Sequence, residues 1–108
     1  MPEAVVAITG ASGAQYGVRL VDELLNAGWS VSLIVTNAGA INLDLECGIA
    51  PEVLGERDGV TLEDNGNLAA RAASGSARFD AYVVCPASGT TIGKIAAGIS
   101  DNLATRSA

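Results

Sequence analysis

Ile8-Thr9-Gly10-Ala11-Ser12-Gly13-Ala14-Gln15-Tyr16-Gly17 is the stretch whose reading decides the fold. Before it runs Ala4-Val5-Val6-Ala7-Ile8, an apolar segment with the pattern of a buried parallel strand. After it, Val18, Leu20, Val21, Leu24 and Leu25 recur at the spacing of one helix face. A strand, a Gly-rich turn and a helix start follow one another directly. Such a turn aims backbone N–H groups and the positive end of a helix dipole at one point, where a phosphate sits well. Gly10 and Gly13 permit tight turning and Ser12 adds a hydroxyl, so the segment reads as a seat for a phosphorylated ligand. The plainer alternative is a tight strand-to-helix connection with no ligand.

Composition narrows the field. The 108 residues form one domain, and a 49% hydrophobic content supplies a core. With 12 acidic against 6 basic residues, the net charge of −6 argues against nucleic acid or an anionic membrane as the main partner. No apolar run reaches the length of a membrane span. The absence of histidine removes Ser-His-Asp and Cys-His chemistry, and a His-held metal, from this chain. Cys47 and Cys85 lack CxxC spacing and no secretory signal precedes the first strand, so reduced thiols and a cytoplasmic location are expected.

Further along, Asn26-Ala27-Gly28 stops the first helix, with Gly28 left-handed. Trp29 to Thr36 reads as a second strand closed by Asn37-Ala38-Gly39, and a helix is expected from about Ala40 to Cys47. Pro51 opens a short helical turn; residues 55–68 read as loop with a short strand at Val60-Thr61-Leu62. Ala81 to Cys85 is the next strand, ending in the polar turn Pro86-Ala87-Ser88-Gly89-Thr90-Thr91, and helical spacing resumes at Ile92, Ile95, Ala96 and Ile99. Strands alternating with helices give an α/β, Rossmann-like parallel sheet with flanking helices. Ligands of such sheets bind beyond the strand carboxyl ends, where the turns at 9–13, 36–37 and 86–91 converge. About three strands, against the ~5–6 of a mean sheet, make the chain read as the front part of a larger fold, a truncated one, or as a chain that finishes its core by pairing with others.

A dinucleotide reading fails on the residues. Ser12 stands where G-x-G-x-x-G needs its second glycine, and Ala14 and Tyr16 stand where TGxxxGxG needs glycines. The second strand ends in Thr36, not in an acid for a ribose hydroxyl. A mononucleotide such as FMN fits better than NAD.

The segment from Ile8 to Leu20 resembles the opening of the flavin prenyltransferases of the UbiX type. Ala73-Ser74-Gly75-Ser76 is similar to their small-residue loop. Cys85-Pro86-Ala87-Ser88-x-x-Thr91, then Ile95-Ala96-x-Gly98 and Asp101-Asn102-Leu103-x-x-Arg106, resembles their second signature. The resemblance runs through the whole chain in order, departing at Ala87, often a second cysteine in the family, and at Gly89-Thr90.

The resemblance implies an FMN site made by Gly10, Ala11, Ser12 and Thr36, completed by Ser88, Gly89, Thr90, Thr91 and Arg106. It places Ser12 and Glu46 at the reacting centre, Glu46 matching a glutamate that helps proton transfer. A solvated charge at a helix end is the alternative for Glu46, and an exposed helix arginine for Arg106. The implied reaction needs no metal: a dimethylallyl group passes from dimethylallyl phosphate to reduced FMN, and the prenylated FMN serves a partner decarboxylase. A homo-oligomer is implied too. The family's Lys, Arg and Tyr for the prenyl phosphate belong to a second half that these residues do not include. An FMN-dependent cysteine decarboxylase shares the P-A-S-x-x-T turn but relies on a histidine base; a flavoprotein reductase of the same superfamily and a non-catalytic FMN-binding fragment also stay open.

Overall fold

In the computed structural model, residues 2–63 and 79–87 are described. They form β1 (Glu3–Ile8), α1 (Ala14–Asn26), β2 (Ser30–Val35), α2 (Asn37–Cys47), α3 (Pro51–Gly55), β3 (Val60–Glu63) and β4 (Ala81–Val84). The strands make one sheet in the order β3-β2-β1-β4. Every pairing is parallel, with Val6 beside Leu33 and Val83, and Ser32 beside Thr61.

The continuous apolar run of β1 is explained by burial on both faces. Ala4 to Ile8 are all 0–1% exposed. Side chains alternate across a strand, so Val6 and Ile8 join Val31 and Leu33 on one face, against Ala14 and Val21 of α1, Leu43 of α2 and Leu54 of α3. Val5, Ala7 and Ile34 face the other way, with Phe79, Tyr82 and Val84 around them. Each large side chain buried in this way contributes roughly 1.5–3 kcal/mol. No helix among the described residues is long and apolar enough to cross a membrane.

Among the described residues the expected elements are present, with two differences; the helical spacing at Ile92, Ile95, Ala96 and Ile99 lies outside them. Asn37-Ala38-Gly39 does not close β2 as a loop; it is the first turn of α2, because Thr36 caps that helix by accepting the Gly39 N–H at 3.0 Å. The strand expected over Val60–Leu62 runs to Glu63 and pairs with β2, which makes it the fourth strand of the described sheet. Gly28 is left-handed, at φ 86°, as its place after α1 requires.

The strand order positions the site. β1, β2 and β3 step outward on one side, and β4 then lies on the other side of β1. The carboxyl ends of β1 and β4 therefore flank the topological switch point, where α/β sheets open a crevice.

Two predictions follow from this packing. Gly17 lies inside α1, where alanine ordinarily adds ~1 kcal/mol of helix stability. Here an added Cβ would stand 2.5 Å from the Cys85 carbonyl oxygen and 3.1 Å from Ile8 Cγ1. Gly17→Ala should lower the unfolding free energy by ~1–3 kcal/mol in urea, an overpacking cost that outweighs the propensity gain. Burial pushes the Tyr82 hydroxyl up from 10.0 to about 12. Below both values the phenol is neutral folded or unfolded; between them only the unfolded chain releases the proton. Stability should accordingly fall as pH rises from 10.0 towards 12, and Tyr82→Phe should fall less steeply in denaturation series over that window.

Candidate functional site: the carboxyl edge of β1 and β4

The chain leaves β1 at Thr9, which is 1% exposed. Its N–H and its hydroxyl both donate to the Pro86 carbonyl, at 3.2 and 2.6 Å. The Cys85 N–H in turn donates to the Ala7 carbonyl at 2.9 Å. The two sides of the crevice are thus tied together at its floor. Both cysteines, Cys47 and Cys85, are half-buried free thiols.

From Gly10 the loop turns sharply, the Ala11 N–H donating to the Thr9 carbonyl at 2.9 Å. It then runs along one stripe of α2, meeting Ala38, Asn42 and Glu46, residues spaced four apart and so aligned on a helix. Gly10 lies so close to Ala38 that an added Cβ would stand 2.3 Å from that residue's own Cβ. Asn42 Nδ2 donates to the Ala11 carbonyl at 3.1 Å. Glu46 Oε1 accepts from the Gly13 and Ala14 N–H groups at 3.0 and 3.1 Å.

A helix N-terminus favours an anion, and at the start of α1 the Glu46 carboxylate of the same chain accepts from both of these amides. Gly13, the N-cap, has no side chain to supply a cap, and the carboxylate replaces it. Glu46 is exposed, yet it is not merely a solvated charge at a helix end. Its Oε2 has no partner among the described residues.

Thr36 closes the site on the β2 side. Its N–H donates to the Ile8 carbonyl at 3.0 Å, while its hydroxyl oxygen caps α2. Of the residues singled out in the sequence, Gly10, Ala11, Ser12, Thr36 and Glu46 gather around this edge. Ser12 is exposed, and its N–H has no hydrogen-bond partner among the described residues. Ser88, Gly89, Thr90, Thr91 and Arg106, and the loop at 73–76, lie outside the described residues. Asn42 and Ala38 were missed by the sequence reading. Starting α2 at Asn37 would have revealed them, since Ala38, Asn42 and Glu46 then fall on one stripe.

Removing the carboxylate should expose its structural part. Glu46→Ala leaves two amides to water alone and should cost ~0.5–1 kcal/mol in urea unfolding. Glu46→Gln, which keeps an acceptor oxygen without the charge, should lose a smaller amount; a Gln variant as damaged as Ala would show that charge dominates the contact.

Comparison with known proteins gives this edge a family. A model of the flavoprotein family matches residues 2–108. The chain is 40% identical over 104 residues to the flavin prenyltransferase UbiX of Thermoplasma acidophilum, covering 96% of this chain and 56% of that protein. The crystal structure of AnUbiX in complex with FMN and dimethylallyl pyrophosphate superimposes with a TM-score of 0.92 at 28% identity, over 98% of this chain and 56% of that one. A dodecameric FMN-dependent UbiX-like decarboxylase from Escherichia coli O157:H7 gives 0.91 at 29%, over 97% and 57%. The chain spans about half the length of the curated relatives it matches. With its parallel sheet, its Gly-rich turn after β1 and its match to the family over nearly every residue, the chain belongs to the flavoprotein family.

Proposed function

We propose that this chain binds FMN at the β1–β4 edge and carries the flavin side of a flavin prenyltransferase. The dimethylallyl group of dimethylallyl phosphate would pass to reduced FMN, and the prenylated product would leave for a partner decarboxylase. The observation that carries the reading is the near-complete superposition on AnUbiX, a protein solved with FMN and dimethylallyl pyrophosphate. The dodecameric E. coli relative supports assembly of this chain into a homo-oligomer. A cytoplasmic location belongs to the same reading.

The residues present fit a flavin mononucleotide. Gly10 carries no side chain into the turn, Ser12 offers an exposed hydroxyl and an unpartnered N–H, and no acid ends β2 to select a dinucleotide ribose. Gly10, Ala11, Ser12 and Thr36 would hold the ligand, together with Ser88, Gly89, Thr90, Thr91 and Arg106. Bound reduced FMN supplies the nucleophilic N5 and C6 positions that receive the prenyl group. Glu46 contributes negative charge fixed at the edge by two amides, suited to favour positive charge developing on the dimethylallyl group as its phosphate departs. Its free Oε2 is the atom placed to take or return a proton. Ser12 orients the acceptor beside it. Such preorganised groups act without rearranging at the moment of reaction.

A second reading is favoured by the coverage of about half of the relatives' length: an FMN-binding portion whose transfer chemistry needs groups from the rest of a longer protein. One experiment separates the two. The chain is incubated without oxygen with FMN, dithionite and dimethylallyl phosphate, and the extracted flavin is weighed by mass spectrometry. A flavin heavier by one prenyl group is the expected result for the transferase. Retained but unmodified FMN supports the binding portion alone, and a chain that retains no flavin overturns both.

A further inference from the structure

Asn42 is the member of the α2 stripe that touches the loop at a carbonyl. Its Nδ2 donates to Ala11 at 3.1 Å. The peptide joining Ala11 to Ser12 is trans, the Cys85–Pro86 bond being the cis peptide recorded among the described residues. In a planar trans peptide the C=O and the N–H point in opposite directions. Holding the Ala11 carbonyl against α2 therefore turns the Ser12 N–H away from α2. That N–H has no partner among the described residues, whereas the next two, of Gly13 and Ala14, are taken up by Glu46. The loop thus presents one backbone donor outward, and the Asn42 side chain, bonded to the carbonyl of the same peptide, fixes its direction.

We propose that Asn42 is a positioning residue for ligand binding: it sets the Ser12 N–H as a fixed donor to an acceptor oxygen of the bound flavin nucleotide. The inference rests on the FMN-binding reading above. Without the Asn42 bond, the 11–12 peptide is free to rotate within its loop, and the donor must be ordered again each time ligand binds. The cost falls on affinity. Glu46 and Ala38 still hold the two ends of the loop, so the fold keeps most of its stability.

Asn42→Asp tests this directly, because a carboxylate of the same shape has no donor for the Ala11 carbonyl. FMN affinity, followed by flavin fluorescence, should fall about tenfold, the equivalent of one hydrogen bond of ~1–1.5 kcal/mol. In 15N-labelled protein, the Ser12 amide resonance should shift on adding FMN to the wild-type chain and shift much less in the variant. Asn42→Ala provides the same readings if the aspartate variant does not fold. Riboflavin, which lacks the phosphate, identifies the acceptor: a deficit that disappears with riboflavin assigns it to the phosphate, and one that persists assigns it to the rest of the flavin. Wild-type affinity in both variants overturns the proposal, as does weakened binding in which the Ser12 amide responds as in the wild type, since that is a purely structural effect. A wild-type chain that binds no FMN fails the flavin reading itself, and the proposal falls with it; binding by the wild type is what isolates a failure of the Asn42 assignment.

Discussion

The ligand edge depends on one contact, the stripe of α2 that lies along the loop from Gly10 to Ala14. A turn between a strand and a helix leaves backbone groups outside any regular ladder, and each must find a partner or face water. Here α2 supplies an amide donor for the Ala11 carbonyl and a carboxylate acceptor for the Gly13 and Ala14 amides. Gly10 lets the two segments approach closely enough for both bonds to form, because Ala38 fills the space a side chain would need. The position of α2 is in turn set by its neighbouring core residue Leu43, which is fully buried against the sheet. Core packing on one side of the helix thus fixes loop geometry on the adjacent side.

The same contact shapes the electrostatics. A phosphorylated ligand is drawn by positive potential, yet the start of α1 already faces a carboxylate. The two arginines among the described residues are also engaged, Arg19 with Glu23 and Arg57 with Asp22. In a chain of net charge −6, the described part of the edge therefore offers neutral donors rather than free cations. That places a premium on the direction of each N–H, since an oriented amide dipole must do what a mobile lysine could do from many positions.

Much of this was legible in the sequence, because the signals were local. The apolar run of Ala4 to Ile8, the turn residues after it and the spacing of Val18, Val21 and Leu25 each point to one backbone state. The parallel sheet follows from their alternation, while the site roles of Gly10, Ala11, Ser12, Thr36 and Glu46 are implied by the family resemblance rather than by local pattern. What escaped was the relation between segments distant in the chain. Asn37-Ala38-Gly39 has the composition of a loop, and only the Thr36 hydroxyl, accepting the Gly39 N–H, converts it into a helical turn. Beginning the helix at Ala40 removed Ala38 from the stripe and left Asn42 without apparent purpose. The identity of the anion at α1 was hidden for the same reason: Glu46 lies more than thirty residues beyond Gly13, |i−j| = 33, and helix-dipole reasoning specifies a charge without specifying its source.

Binding and transfer place different demands on such an edge. The bonds that shape the loop all join residues between Ala7 and Pro86: the Thr9–Pro86 tie, the Cys85–Ala7 bond and the two side-chain bonds from α2. The loop from Gly10 to Ala14 is therefore shaped by contacts internal to this stretch. Group transfer asks more, because the departing phosphate gains charge and must be met by a cation or a dense set of donors. The described bonds therefore account for the shape of the loop, while the demand of a departing phosphate for a cation is not met by either of the two arginines among the described residues.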